Sequence, residues 1–412
     1  MKILLLNQFF WPDSAATSQF LTDLARELSA RGHQVDVLCG GGRAYAQQDE
    51  SGRPAVTIRR SLSLPFGRSK PMRLLSYASF LTTAGLLGLF RSKPDLVITL
   101  TTPPLVGMLG TFIKYARGVR HISWEMDLYP DVICDLGYFS AENPLIRLIG
   151  AVADFSRHHA DGIIALGECM KRRLVARGVA PEKIHVSENW ADGEVIEPLP
   201  FPALEPVTVL YSGNLGLGHD VETIADAMFA LKDDPRFRFV FAGGGGRRDA
   251  LETFCSQNAI PSVSFRPYCR REDLGQSLGE GHIGLVTQNA KCSGSIVPSK
   301  AYGILAAGRP LLYIGPADST PAHLVHRFGC GWQIDCGDSE GLQQLLVRLA
   351  QNPDEIFEAG RASRAAFVSH YDRATGLEHL CSLLFDEQPV TAPLHAASAS
   401  LSITGPITDS KL

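Results

Sequence analysis

Two side chains in this sequence have the type and position for chemistry on an anionic ligand. Lys300 lies in the stretch CSGSIVPSKAYGILAAGRPLLYIG, where a turn leads into a predicted helix. A cation at the start of a helix opposes the helix dipole, so we expect an anionic ligand to offset its charge. Asp127 lies in SWEMDLYPD, at the carboxyl end of a predicted strand, where a carboxylate can act as a general base. The alternative for Asp127 is a residue that forms the turn before Pro130.

The loop YSGNLGLGHD offers groups that bind phosphate. Gly213 and Gly216 let the backbone approach a ligand closely, and the predicted helix that follows presents free N–H groups. Asn214 and His219 can donate hydrogen bonds to phosphate oxygens. The alternative for His219 is an exposed loop histidine or a neighbour of the helix cap.

The loop FAGGGGRRDAL forms a second turn of this kind. Gly244 and Gly245 follow a predicted strand, and Arg247 opens the predicted helix, so its charge is either exposed to solvent or offset by an anion. In the loop before Lys300, Ser295 and Ser299 add hydroxyl groups. All three loops follow strands of one predicted parallel sheet, whose carboxyl ends lie at one edge. An anion site is therefore expected at that edge.

Several other kinds of site are not indicated. The sequence contains no P-loop, His-Glu-x-x-His motif or nucleophile elbow, and GxGxxG does not follow the first strand, so no dinucleotide cofactor is expected. There is no Asp-x-Asp metal motif. The nine cysteines are scattered, which is typical of reduced thiols. The net charge of −4 gives no reason to expect a nucleic-acid partner.

Short β-rich runs alternate with helical patterns along the chain, and this alternation restarts once. KILLLNQ and VTVLYSG begin the two series, and the region between them, ENWADGEVIEPLPFPALEP, is rich in proline and acidic residues. Strands that alternate with helices form parallel sheets covered on both faces. The predicted fold class is therefore α/β, with two doubly wound Rossmann-like domains facing each other across a cleft.

The pattern also gives domain limits. The predicted units are an N-terminal domain, a linker, a C-terminal domain, a C-terminal helix that crosses back to the first domain, and a disordered tail rich in Ala, Ser, Thr and Pro, at residues 1–188, 189–206, 207–365, 366–387 and 388–412.

An uncharged segment in the first half leaves two interpretations open. Residues 74–90, LLSYASFLTTAGLLGLF, are flanked by Arg68, Lys70, Arg73, Arg91 and Lys93. The segment is short for a transmembrane helix, which needs about 20 apolar residues. It is either a helix buried in the domain or a helix that contacts the inner membrane surface through residues 68–93, with its basic flanks attracted to anionic lipid.

The motifs together resemble those of a known family. NQFFWPDSAATSQFLTDLARELSARGHQVDVL, SWEMDLYPD, YSGNLGLGHDVET, FAGGGGRR and PSKAYGILAAGRPLL are similar to sequences of retaining nucleotide-sugar glycosyltransferases of family four, which have the GT-B fold. The similarity is greatest to the bacterial branch that builds O-antigen and exopolysaccharide, including colanic-acid-like polymers. It extends over roughly the whole folded chain.

The resemblance implies roles for individual positions. The family usually carries arginine at the position of Asn214 and lysine at that of His219, both facing the donor diphosphate, and Lys300 replaces part of that charge. Its two glutamates correspond to Ser295 and Gly303, so Tyr302 and the loop N–H groups are expected to contact the ribose instead. The implied donor-binding residues are Gly213, Asn214, Gly216, Gly244, Gly245, Arg247, Tyr268, Ser295, Ser299 and Tyr302.

The implied reaction is transfer of a hexosyl or N-acetylhexosaminyl group with retention, without a metal or cofactor. Lys300, His219 and helix N-termini would stabilise the leaving diphosphate, and Asp127 would orient the acceptor. The expected partners are a nucleoside-diphosphate sugar and a polyprenyl-diphosphate-linked glycan, in a cytoplasmic protein peripheral to the inner face of the plasma membrane.

Three alternatives remain at this stage. The absent glutamate pair is compatible with a non-catalytic nucleotide-sugar-binding partner of a glycosyltransferase. A nucleotide-sugar 2-epimerase would share the fold, and it would be expected to carry more carboxylates and histidines near the sugar. The third alternative is a soluble enzyme that uses a small acceptor. In that enzyme residues 74–90 would only form part of the hydrophobic core.

Overall fold

The computed structural model describes residues 1–41, 52–66, 69–89 and 92–385. The tail predicted at 388–412 lies outside these residues. Arg68, Phe90 and Arg91, which belong to the uncharged segment 74–90 or to its basic flanks, also lie outside these residues.

The first sheet has seven parallel strands in the order β3-β2-β1-β4-β5-β6-β7. Its strands are β1 (Lys2–Leu6), β2 (Gln34–Gly40), β3 (Thr57–Ser61), β4 (Leu96–Thr99), β5 (Arg120–Glu125), β6 (Gly162–Ala165) and β7 (Ile184–Val186). The helices between them are α1 (Ala16–Ala30), α2 (Lys70–Leu89), α3 (Gly107–Arg117), α4 (Asp131–Asp135), α5 (Pro144–His159) and α6 (Glu168–Ala176). The central strands β1 and β4 are buried almost throughout, because helices cover both faces of the sheet.

The second sheet has six parallel strands in the order β10-β9-β8-β11-β12-β13. Its strands are β8 (Val207–Asn214), β9 (Phe237–Gly244), β10 (Val263–Arg266), β11 (Ile283–Thr287), β12 (Leu311–Ile314) and β13 (Gly331–Ile334). Its helices are α7 (Glu222–Ala230), α8 (Arg248–Gln257), α9 (Leu274–Gly279), α10 (Lys300–Ala306), α11 (Thr320–Phe328), α12 (Ser339–Gln351) and α13 (Pro353–Ala366). Two doubly wound sheets confirm the predicted fold class.

The chain passes between the two sheets twice. It crosses first through residues 187–206, and again after α13, where a π-helical turn (Phe367–Tyr371) leads into α14 (Arg373–Phe385). The apolar side of α14 joins the core of the first sheet through Leu377, Leu380 and Leu384. The two crossings also contact each other, because Arg373 Nη1 lies 2.5 Å from Asp192 Oδ2.

Helix α2 has apolar residues on both of its sides. Phe80 and Ala84 are fully buried against the first sheet, whereas Leu74, Leu75 and Leu86 are 68%, 53% and 53% exposed. One side of the helix is therefore core and the other is an apolar surface. None of the helices in the described residues is long and apolar enough to span a bilayer.

Candidate active site

The three predicted loops lie side by side at one edge of the second sheet. They follow β8, β9 and β11, which are neighbouring strands. Asn214 pairs in register with Gly244, and the Tyr268 hydroxyl lies 3.5 Å from Asn214 Oδ1. Gly216 and Gly245 are both half-buried in these loops. The structure thus brings together the glycines, the amide of Asn214 and the phenol of Tyr268.

Lys300 lies across the first of these loops. Its aliphatic chain runs so close to Gly213, which has φ +136°, that a Cβ atom at position 213 would collide with it. Its Nζ atom is 5.5 Å from the centroid of the Tyr211 ring. Among the described residues no carboxylate forms an ion pair with Lys300. Burial lowers the pKa of the Lys300 ammonium to about 8. The site therefore holds a half-buried cation with no protein counter-ion among the described residues.

His219 does not carry a positive charge in this structure. Its Nδ1 atom is 2.7 Å from the Thr287 carbonyl oxygen, to which it donates, and its Nε2 atom is 3.4 Å from the Tyr211 hydroxyl. Burial and, as a smaller cause, the nearby charge of Lys300 lower the pKa of His219 to about 3. His219 is thus a neutral ring that joins the first loop to β11.

Two predicted donor contacts, Ser295 and Tyr302, are buried away from the loop surface. The Ser295 hydroxyl donates to the Cys292 carbonyl oxygen at 3.2 Å, and the residue is fully buried. Tyr302 is also fully buried, and its ring lies 5.1 Å from that of Tyr371. The structure contradicts the prediction that both contact the donor, because Ser295 turns inward in the loop before α10 and Tyr302 lies on the buried side of α10.

Two further predicted residues, Arg247 and Ser299, differ in whether they face the cleft. Arg247 is ion-paired with Glu222, so a carboxylate of the chain itself offsets its charge at the helix start. Ser299 lines the cleft beside Lys300.

A cavity of about 250 Å³ lies between the domains next to Lys300. One wall contains Ser212, Ser299, Lys300 and Gly303 from the second domain; the opposite wall, from α1 and the first crossing, is lined by Ala16, Gln19, Phe20, Asp23, Trp190 and Asp192. Gly303, where the family's glutamate would lie, therefore faces the cleft.

Arg271 closes the cavity from the side, a role that no motif in the sequence indicated. Its Nη1 atom donates to Gln19 Oε1 at 3.1 Å, and its Nη2 atom is 3.6 Å from Asp192 Oδ2. The only sequence signal was a cation in a polar turn. Arg271 contacts Gln19 of the first domain and Asp192 of the first crossing. These contacts therefore depend on the two domains being closed together.

Asp127 reaches the second domain directly. It forms a β-bridge with Ile296, and the N–H of Leu128 donates to the Ser295 carbonyl oxygen at 2.9 Å. Burial and, as a smaller cause, the nearby Glu125 charge raise the pKa of the Asp127 carboxyl to about 6. The structure thus brings Asp127 to the loop that precedes Lys300, across the domain boundary.

A second, narrow cavity of about 30 Å³ begins at Asp127 and extends into the first domain. Its lining residues come from β5, α3, α5 and their loops, and include Thr101, Gly107, Ser123, Tyr129 and Ser156. Beneath it, Arg157 donates to both oxygens of Glu125, at 3.3 and 3.1 Å, and both side chains are 5% exposed. Sequence reasoning missed Arg157, because a lone arginine in a helix is usually on the surface.

Three comparisons with known proteins bear on this arrangement. Residues 16–190 match the family model described as "Glycosyl transferase 4-like domain". The chain is 26% identical over 381 residues to a protein of Escherichia coli (strain K12) named as a colanic acid biosynthesis glycosyl transferase, WcaI, covering 85% of this chain and 92% of that one. It is 28% identical over 207 residues to GDP-mannose:cellobiosyl-diphosphopolyprenol alpha-mannosyltransferase of Xanthomonas oryzae pv. oryzae (strain PXO99A), covering 48% and 52%.

A solved structure shares the fold over nearly the whole chain. This is Anabaena Alr3699/HepE in complex with UDP and glucose, with a TM-score of 0.69, 16% identity and coverage of 94% of this chain and 100% of that one. At this identity the likeness shows the fold alone. Residues 16–190 are thus a glycosyl transferase 4-like domain, and the chain is a glycosyltransferase of the GT-B fold.

Proposed function

We propose that this enzyme transfers a sugar, with retention, from a nucleoside-diphosphate sugar to a polyprenyl-diphosphate-linked glycan in cell-surface polysaccharide biosynthesis. The observation that carries the proposal is Lys300, a half-buried cation that has no carboxylate partner among the described residues and lies against Gly213 of the first glycine loop. A diphosphate is the anion that such a loop cluster suits.

The names of related proteins support the choice of substrates. The Xanthomonas mannosyltransferase is named for GDP-mannose and a diphosphopolyprenol acceptor, and HepE has the same fold and binds UDP. The colanic acid relative supports a role in polysaccharide biosynthesis. The enzyme would work in the cytoplasm at the inner face of the plasma membrane, and residues 68–93 would contact that membrane.

The geometry suits a transfer between the two domains. In the proposed reaction the bond from the anomeric carbon to the diphosphate breaks, and the acceptor oxygen forms the new bond on the same face of the sugar. The acceptor proton passes to the leaving diphosphate oxygen. Lys300 and the N–H groups of the glycine loops stabilise the leaving charge, and Asp127 orients the acceptor hydroxyl. The closed domains exclude water from the reacting sugar.

The experiment that tests the donor site is thermal unfolding with 1 mM UDP, GDP, ADP or dTDP. We expect one nucleotide to raise the Tm, because it binds the folded state only, and a ligand at about 100 times its Kd adds about 2.7 kcal/mol. No rise with any of the four would contradict a nucleoside diphosphate at these loops. A rise with one of them would identify the base and direct the choice of sugar donor.

Replacing Asp127 with Asn should separate catalysis from folding. We expect kcat to fall by about 10²-fold, since the amide is a poorer hydrogen-bond acceptor than the carboxylate and orients the acceptor hydroxyl less well. The Tm should not fall, because the change removes a charge whose burial raises its pKa. Wild-type activity should decrease as the pH falls through about 6 and the carboxylate is protonated, whereas the activity remaining in Asp127→Asn should not follow this profile.

The control for Asp127 is Glu142→Gln, which changes an exposed carboxylate in the loop before α5. It should leave both kcat and the pH profile unchanged. An Asp127→Asn variant with wild-type kcat would show that the acceptor hydroxyl is oriented by another group.

A further inference from the structure

A carboxylate of the first domain lies in the same cavity as Lys300. Asp23 of α1 is 9% exposed, and it lines the cavity of about 250 Å³ between the domains, whereas Lys300 lines this cavity from the second domain. No step of the proposed reaction uses Asp23. Its role in the cavity follows from the contacts of its two oxygen atoms.

One oxygen of Asp23 is held by the protein and the other is available. Trp190 Nε1 donates to Asp23 Oδ2 at 3.2 Å. The Trp190 ring is itself fixed, because its centroid lies 5.1 Å from that of Phe20, edge to face, and 6.0 Å from that of Trp124 in a stack. Asp23 Oδ1 lies 3.8 Å from Arg26 Nη1, which is too long for a hydrogen bond. Within the described part of the chain, Oδ1 accepts no hydrogen bond, so an oriented acceptor remains for a ligand.

The other carboxylate of this wall already has partners. Asp192 Oδ2 lies 2.5 Å from Arg373 Nη1 and 3.6 Å from Arg271 Nη2. Burial raises the pKa of the Asp23 carboxyl, although its hydrogen bond and the neighbouring arginines oppose this. A desolvated carboxylate in a cleft is a common feature of ligand-binding sites. Asp23 is therefore the carboxylate of this wall that can accept a hydrogen bond from a ligand.

The cavity combines three kinds of surface. Lys300 supplies a cation, and Asp23 supplies a hydrogen-bond acceptor. Much of the remaining lining is apolar and includes Val195, Ile196, Leu274, Leu278 and Ile304. A ligand that matches all three has an anionic group, a hydroxyl close to it, and a ring with apolar C–H groups. A sugar ring attached to a phosphate has each of these features.

We propose that Asp23 accepts a hydrogen bond from a sugar hydroxyl of the donor, next to the phosphate held by Lys300. The hydroxyl belongs either to the ribose of the nucleotide or to the transferred sugar, which present the same chemistry to a carboxylate. This inference rests on the proposed function and adds to it a specificity-determining residue from the first domain. Because a carboxylate attracts a hydroxyl and repels a phosphate, Asp23 also determines which end of the donor lies at Lys300.

The experiment is calorimetric titration of the full chain with three ligands. These are the nucleoside diphosphate that gives the largest Tm rise, its 2′,3′-dideoxy form, and its hexose conjugate (UDP-glucose, GDP-mannose, ADP-glucose or dTDP-glucose). The test variant is Asp23→Asn, which keeps the size of the side chain but has a single acceptor oxygen for both Trp190 and the ligand. The matched control is Asp226→Asn, at an exposed carboxylate of α7.

We expect Asp23→Asn to bind the hexose conjugate about 10–100-fold more weakly than the control does, which is the range for a hydrogen bond to a charged group. The other two ligands identify the hydroxyl. If the nucleoside diphosphate shows the same loss and the dideoxy form shows none, the hydroxyl belongs to the ribose. If only the hexose conjugate shows the loss, it belongs to the transferred sugar.

Two results with a wild-type protein that binds nucleotide would overturn this inference alone. One is equal affinity of Asp23→Asn and the control for all three ligands. The other is a loss of equal size for all three ligands, because the carboxylate would then act without a sugar hydroxyl. The Tm of Asp23→Asn without ligand should not fall, since burial does not penalise the neutral amide. A wild-type protein that binds none of the ligands would instead contradict the donor site itself, and this inference with it.

Discussion

Replacing Lys300 with Met should reduce kcat/KM for the sugar donor by about 10²–10³-fold. The change removes the cation that faces the leaving diphosphate and keeps the aliphatic chain that packs over Gly213 and Tyr211. A loss of this size is typical when one preorganised donor to a developing negative charge is removed. Nucleotide affinity, measured by calorimetry with the nucleotide that gives the largest Tm rise, should fall as well.

The pH dependence gives a second readout for Lys300. Because its pKa is about 8, the free enzyme carries the positive charge below pH 8 and loses it as the pH rises through that value. Nucleotide affinity of the wild-type protein should therefore decrease between pH 7 and pH 9. The terminal phosphate, with a second pKa of about 6, is mostly ionised at pH 7, and its remaining ionisation would favour binding to a cation, so the ligand does not cause the decrease. In Lys300→Met this decrease should be absent.

The matched control is Lys291→Met, at an exposed lysine of the same loop. It should change affinity and kcat/KM by no more than about twofold, since an exposed charge is screened by solvent. If Lys300→Met bound nucleotide as well as the control did, the diphosphate would be held elsewhere, and the assignment of this loop would fail.

Replacing Arg157 with Met should lower the free energy of unfolding by about 3–5 kcal/mol. Glu125 would remain buried, with the Ser123 hydroxyl at 2.9 Å as its hydrogen-bond donor and without the guanidinium that offsets its charge. Breaking one side of a buried ion pair has costs of this order, because the remaining charge stays desolvated. The Tyr129 carbonyl oxygen also loses a donor at 3.0 Å.

Tryptophan fluorescence in urea can follow this change. Three of the four tryptophans, Trp11, Trp124 and Trp190, belong to the first domain or its edge, and Trp124 is in the same strand as Glu125. The double variant Arg157→Met with Glu125→Gln should recover part of the loss, since no buried charge remains. The control Arg348→Ala removes an exposed pair with Glu355 and should cost about 0–1 kcal/mol. An unchanged urea midpoint in Arg157→Met would mean that Glu125 is protonated or hydrated in the variant.

The fold could be predicted because parallel strands have a distinctive pattern. KILLLNQ and VTVLYSG are short apolar runs that precede loops and helices, and burial on both sides makes such runs continuous. The glycine loops were placed at the correct strand ends for the same reason. The apolar segment 74–90 could not be assigned to core or surface, because both sides of α2 are apolar and composition does not indicate which side meets the sheet.

The site was predicted less completely, because a motif does not fix the direction of each side chain. Lys300 and Asp127 are brought to one interface, as their positions at strand and helix ends suggested. Ser295 and Tyr302 lie in the same motif as Lys300, but Ser295 turns inward in the loop before α10, and Tyr302 is on the side of α10 that faces the core. The charge of His219 depends on its burial and on Lys300, and neither could be read from the loop sequence.

The path of α14 determines how this protein can be divided experimentally. Gly376 of α14 lies so close to the Trp190 ring that a Cβ atom there would be 2.8 Å from it, and Arg31 of the first domain bonds Glu378 at 2.7 Å. A fragment of residues 1–190 would therefore leave an apolar face uncovered, and a fragment of residues 207–385 would carry a helix without its partner. The first domain is discontinuous in sequence. An excised version should join residues 1–190 to 373–385 through a designed connector, and the second domain should be expressed only as far as residue 366.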